Sequence, residues 1–151
     1  MRSVLISLAL PIVLTFGAAS AEAAEDAGHI KVSNGIVQIE RSGQRLPAPV
    51  GGVVQQGDLV ITGADGSVGI TFRDNSLLSV GPDSVLSIDR FVFDSTTHQG
   101  AFESSLKQGT LAVVSGKLAK HSQEAMKVKT PAAILGVRGT EFLVRTGPSK
   151  D

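Results

Sequence analysis

Cysteine, tryptophan and tyrosine are all missing from this 151-residue chain. Without cysteine there is no disulfide and no thiolate, so the fold must be held by packing and hydrogen bonding, and cysteine-based zinc sites and thiol nucleophiles are excluded. Six phenylalanines are the only aromatic side chains. That is a poor stock for a base-stacking platform or a sugar-binding surface, both of which draw on tryptophan and tyrosine. An excess of one charge is lacking as well: 14 basic residues balance 14 acidic ones, and no basic block of five or more occurs. Nucleic acid is therefore not an expected partner.

One long apolar run is present, and it lies at the N-terminus. Arg2 opens it, Val4 to Phe16 is interrupted only by Ser7, Pro11 and Thr15, and small-x-small sites follow at Ala19-Ser20-Ala21 and Ala21-Glu22-Ala23. Residues 1–23 read as a signal peptide cut after Ala21 or Ala23. The rival reading, an uncleaved anchor, needs ~20 apolar residues to span a bilayer, more than this core supplies. Cleavage leaves no membrane span and an exported chain of 128 residues, enough for a hydrophobic core without metals or crosslinks. Export without cysteine suits a bacterial envelope, in the periplasm or secreted.

The remainder is punctuated like an all-β domain. Residues 24–34 read as a leader, Ala24 to Gly28, and a first strand signal at Ile30 and Val32; residues 35–145 form the domain and 146–151 a flexible tail. Asn34-Gly35 suits a tight hairpin between that strand and Val37–Ile39, because both residues tolerate positive φ. Arg41 to Pro49 reads as a loop. Beyond Val50, short β-branched runs alternate with turn residues, and Asp65, Asp74 and Asp83 recur nine residues apart with Val68, Leu77 and Leu86 at matching offsets. Such a step fits a strand plus a hairpin turn, or one side of a solenoid coil. The expected fold is a twisted stack of short strands, a solenoid-like β roll or sandwich. Phe102 to Val114 reads as a strand pair turning at Gly109, with a short helix over Ala101–Lys107 as its rival. Gly116 to Ala125 reads as a loop or a single helical turn.

Chemistry is sparsely signalled. His29, His98 and His121 are far apart and suggest no metal site; no Gly-x-Ser-x-Gly elbow or phosphate loop occurs, and Gly116-Lys117 lacks both the preceding glycine spacing and a following Ser or Thr. Asp58, Asp65, Asp74 and Asp83 read as turn residues, whose carboxylates bond the local backbone, in preference to calcium ligands, which cluster within one loop. No cofactor and no enzymatic activity are expected. The most particular stretch is Thr130-Pro131-Ala132-Ala133-Ile134-Leu135-Gly136-Val137-Arg138-Gly139-Thr140-Glu141-Phe142. Thr130-Pro131 is expected to turn the chain into a final strand, Gly136 and Gly139 to let it pack closely, and Arg138 and Thr140 to tie down its polar edge. For Arg138 the preferred reading is an ion pair with an acid such as Asp58 or Glu141, the alternative an anchor for a partner's carboxylate.

Gly57-Asp58, Thr62, Gly66, Val68, Phe72, Asp74, Ser76 and Leu77, then Ser84, Leu86, Ile88, Gly109 and Val113, and finally Thr130-Pro131-Ala132 through Gly136-Val137-Arg138-Gly139-Thr140-Glu141-Phe142 together resemble the FecR domain family, over Gly35 to Val144. The resemblance implies a periplasmic all-β domain of regulators that relay iron-uptake signals from outer-membrane receptors to sigma factors. Those regulators carry a cytoplasmic anti-sigma segment and a transmembrane helix before the domain and further sequence after it. In this sequence the domain follows the signal-like segment directly and Val144 is followed by seven residues, so the domain carries over and the anti-sigma activity does not. The expected function is a non-catalytic exported interaction module that binds another envelope protein, strand addition at an open edge being a natural mode. The alternative is a periplasmic domain that binds a small molecule, calcium or a cell-wall glycan.

Overall fold

A computed structural model describes residues 25–137 and 141–147. The chain is all-β, with twelve strands and one short helix among the described residues. The strands are β1 (Asp26–Asn34), β2 (Val37–Arg41), β3 (Gln44–Pro47), β4 (Val53–Gln55), β5 (Leu59–Thr62), β6 (Ser67–Phe72), β7 (Leu77–Val80), β8 (Val85–Phe93), β9 (Gly100–Val114), β10 (Met126–Lys129), β11 (Ile134–Gly136) and β12 (Glu141–Thr146), with helix α1 (Lys117–His121) after β9. Successive side chains of a strand point to opposite faces. Val68, Ile70 and Phe72 on β6, and Leu111 and Val113 on β9, are accordingly buried while their neighbours face outward.

The strands hydrogen-bond in the order β3-β2-β5-β8-β9-β7-β6-β1-β4, with β10 and β12 attached to β9 and β11 to β10. This one sheet is creased into two halves over a shared core. The chain turns across the crease from β1 into β2, from β5 into β6 and from β7 into β8, and β9 crosses it within itself. The corners of the crease bond side by side. Gly63 donates to Ile36 O, Asp83 donates to Gly63 O, and Gly81 donates to Thr110 O. Buried Thr62 locks the middle of the line, accepting from Ser84 N at 2.9 Å and donating to Gly81 O at 2.6 Å.

Two glycines are required on this line. Gly35 has φ 63° and Gly109 φ 98°, and a Cβ would lie 2.3 Å from Asp65 O at the first and 1.9 Å from Ser84 Oγ at the second. Only glycine satisfies both demands without strain. Gly109 therefore bends a continuous fifteen-residue strand, and the expected strand pair over Phe102–Val114, like the helix over Ala101–Lys107, is replaced by β9. Residues up to Gln108 pair with β8 and β10, while those from Gly109 onward pair with β7 and β12.

Other expectations are corrected by the same topology. Asn34-Gly35 is a corner between the halves, since β1 pairs with β4 and β6 while β2 pairs with β3 and β5. The tight hairpin forms at Ser42-Gly43, both at positive φ, inside the segment expected to be a loop. The Ala24–Gly28 leader is cut short, because β1 begins at Asp26, buries Ala27, and passes so close to Thr71 O that a Cβ on Gly28 would lie 2.7 Å away. The nine-residue spacing of Asp65, Asp74 and Asp83 marks two kinds of bend: Asp65 and Asp83 sit at crease corners, Asp74 in the β6–β7 hairpin at the opposite end. The expected all-β, twisted stack of short strands is present as one curled, mostly antiparallel sheet.

Three phenylalanines close the core between the halves. Phe72 lies 4.5 Å from Phe102 and 5.5 Å from Phe91 between ring centroids, and Phe91 meets Phe102 edge-on at 5.1 Å. Tilted and edge-to-face pairs of this kind add to the free energy of area burial.

Candidate functional site

The four aspartates do different work. Asp58, in the turn between β4 and β5, is fully buried and grips Arg41 at two points, Nε to Oδ1 at 2.8 Å and Nη2 to Oδ2 at 2.7 Å. Gln55 N–H donates to Oδ2 at 2.8 Å, and Arg41 Nη2 also donates to Val53 O. The hydrogen bond to Asp58 holds the Arg41 guanidinium above its ordinary pKa. Asp58, one of the two acids considered for Arg138, is therefore already engaged by Arg41. Asp74, equally buried, accepts from Ser76 N at 3.0 Å and Ser76 Oγ at 2.7 Å; Ser76 Oγ in turn accepts from Gly116 N, tying the start of α1 to the hairpin. Asp65 Oδ1 receives Ile36 N–H at 3.3 Å. Asp83 adopts positive φ at its corner and borders a cleft of about 340 Å³ with Gln108, Thr110 and Arg145. Among the described residues, no three His, Cys, Asp or Glu gather where they could hold a metal ion.

The Thr130–Gly136 stretch forms an exposed hairpin at the margin of the half that contains β8 and β10. Thr130 N–H donates to Ala133 O at 2.8 Å and Ala133 N–H to Thr130 Oγ1 at 3.1 Å, closing a turn around Pro131 between β10 and β11. Pro131 turns the chain into β11; the final strand, β12, belongs to the other half of the sheet. Ile134 is 68% exposed. Gly136 is not required by close packing, because the nearest atom to a Cβ there would be Gln123 O at 3.9 Å. Arg138, Gly139 and Thr140 lie outside the described residues. Glu141 lies on β12.

The outer faces of the two halves differ in chemistry. On the half containing β10, Arg90 pairs across to Glu103 and Glu103 to Lys127, a charged row suited to water. On the other half, five strands bring Val32, Gly69, Ser79, Ala112 and Leu143 into one register row, and His29, Thr71, Leu77, Val114 and Glu141 into the next. Val32, Leu77, Val114 and Leu143 are all substantially exposed, Leu143 at 64%. Small residues at the centre of the row leave a depression of about 200 Å³ beside Val32, and apolar residues stand at the ends of the row.

That face ends at β12, whose outer edge has no strand partner among the described residues. β12 pairs only with β9 among the described residues. Thr110, opposite Arg145, turns both main-chain groups the other way: its N–H donates to Ser84 Oγ and its carbonyl accepts from Gly81. Antiparallel ladders alternate hydrogen-bonded and non-hydrogen-bonded pairs. The Arg145–Thr110 pair is thus of the second kind, and Glu141, Leu143 and Arg145 direct their N–H and C=O groups to the open edge. The other margins are blunted: β4 and β11 have three residues each, and β3 carries Arg45 and Pro47. β12 is six residues long, without proline or lysine. Leu143 and Arg145 were not singled out in the sequence, although the apolar run Phe142-Leu143-Val144 between Glu141 and Arg145 is consistent with a strand.

The FecR protein family model matches residues 58–150, a span that starts at the buried Asp58 and takes in the crease, β9 and β12. A solved structure named "Cell surface anchoring domain" is 32% identical over 40% of this chain and 82% of its own length, with a TM-score of 0.40. No curated protein matches the chain. The family match covers more than half of the sequence, and the chain belongs to the FecR family.

Proposed function

We propose that this chain is a non-catalytic, exported interaction module of the bacterial envelope, working in the periplasm or beyond it after cleavage at Ala21 or Ala23. Its part in iron-uptake or cell-surface signalling is contact with an envelope protein through a sheet edge. The observation that supports this reading is the outer edge of β12, unpaired among the described residues, beside an outer face with exposed Val32, Leu77, Val114 and Leu143. Such an edge is a template for an added strand, whose main-chain bonds give affinity and whose alternate side chains give specificity. The buried, internally bonded carboxylates of Asp58 and Asp74 serve the scaffold in this reading.

The test is fractionation followed by crosslinking in intact cells, comparing wild type with Leu143→Pro, which removes an edge N–H. Export to the envelope and one specific crosslinked envelope protein that disappears with Leu143→Pro are expected. A cytoplasmic location, or the same crosslink in both proteins, would overturn the proposal.

A further inference from the structure

β12 is complementary to itself. Its outward side chains are Glu141, Leu143 and Arg145, an acid, an apolar residue and a base at alternate positions. In an antiparallel pairing about a two-fold axis at Leu143, Leu143 meets Leu143 of a second copy and Glu141 meets the second copy's Arg145, twice by symmetry. On the core-facing side Phe142 falls opposite Val144. The backbone agrees with this register, because Glu141, Leu143 and Arg145 are the residues whose N–H and C=O groups point to the open edge, so each pair exchanges both hydrogen bonds.

Neither charge is committed to an ion pair in its own sheet among the described residues, although Asp83 shares a cleft with Arg145. Glu141 lies across from Val114 and Arg145 across from Thr110. Four residues along a strand separates them by about 13 Å, too far for direct contact. Pairing would also carry the Val32–Gly69–Ser79–Ala112–Leu143 row unbroken into the second copy, doubling the apolar face. A two-fold contact of this kind is isologous, so it closes at two copies and leaves no growing end.

We infer that the chain forms a two-fold dimer through β12, with reciprocal Glu141–Arg145 pairs flanking a central Leu143 contact. The inference rests on the reading of β12 as a docking edge and names its occupant as a second copy of this chain.

Sedimentation velocity across a concentration series of the full chain, with the charge variants, tests it. Wild type should pass from monomer to dimer, more weakly at high salt. Glu141→Arg and Arg145→Glu should each place like charges opposite one another twice, weakening association by at least about tenfold. An equimolar mixture of these two variants restores opposite charges at both positions, so it should dimerise although each alone does not; misfolding of either chain could not produce that. A monomeric wild type throughout, or dimerisation of both single variants at wild-type strength, would overturn the inference. Wild type that stays monomeric yet gives a crosslink lost in Leu143→Pro would sink the self-pairing while leaving the docking edge intact; absence of both would sink the two together.

Discussion

Arg41 reaches across from the end of β2 and takes both carboxylate oxygens of Asp58, whose side chain is 1% exposed while that of Arg41 is 31% exposed. The pair joins β2 to the β4–β5 turn, and the additional bond to Val53 O brings in the opposite half of the sheet.

Replacing Arg41 with Ala leaves a buried carboxylate supported by Gln55 N–H alone. Breaking a buried pair costs ~3–5 kcal/mol, and the partial exposure of Arg41, which admits water, reduces this to about 2–3 kcal/mol. Urea unfolding should show that loss as a lower midpoint at unchanged slope. A change below about 0.5 kcal/mol would show that the clasp contributes nothing.

Gly109→Ala and Gly136→Ala should behave oppositely. At Gly109 the added methyl meets Ser84 Oγ at 1.9 Å and Ser84 Cα at 2.5 Å in a backbone at φ 98°, so a loss above ~3 kcal/mol or failure to fold is expected. At Gly136 the nearest atom is 3.9 Å away, and the change should stay within about 0.5 kcal/mol. Equal effects at the two sites, measured by thermal unfolding, would contradict the crease geometry.

Ser104 is fully buried on β9, and its hydroxyl has no hydrogen-bond partner among the described residues. Ser104→Ala removes an unsatisfied polar group at little loss of volume, so stability should rise by about 1 kcal/mol. A fall of that size in a calorimetric scan would mean that the hydroxyl is bonded in solution.

In the β8–β9 loop, Asp94 Oδ1 accepts from Thr96 N at 2.8 Å and Thr97 N at 3.2 Å. The Thr96 bond, then the Thr97 bond, hold its carboxyl below the usual 3.8. A group depressed in the folded state stabilises the loop above the unfolded pKa and loses that contribution as pH falls through the folded one. An NMR titration should therefore find Asp94 titrating below 3.8, with the Thr96 amide shift following it. A midpoint at or above that value would show that the turn is not formed.

Strand character was legible before the fold. Val68, Ile70 and Phe72 on β6 and Leu111 and Val113 on β9 follow the period of two, a local property of extended backbone. Turn positions were legible too, at Asp65, Asp74 and Asp83. Their kinds were not. A hairpin and a corner draw on the same Asx and Gly residues, and the choice depends on which strands pair, which is how Asn34-Gly35 became a corner and Ser42-Gly43 the hairpin. The candidate surface was half visible: Glu141 stood out through its neighbours, whereas Leu143 and Arg145 gained meaning only once β12 was an edge.

By itself the sequence determined the β class, the family and the inventory of turns, because these follow from local periodicity, backbone permissiveness and motif. Tertiary structure alone decided that Asp58 belongs to Arg41, that Gly109 bends a strand instead of ending one, and that β12 is the margin with its polar backbone facing outward. Those three facts depend on which segments, distant in the chain, lie side by side. Pairing of that kind is selected by burial over the whole core, beyond the reach of any single stretch of residues.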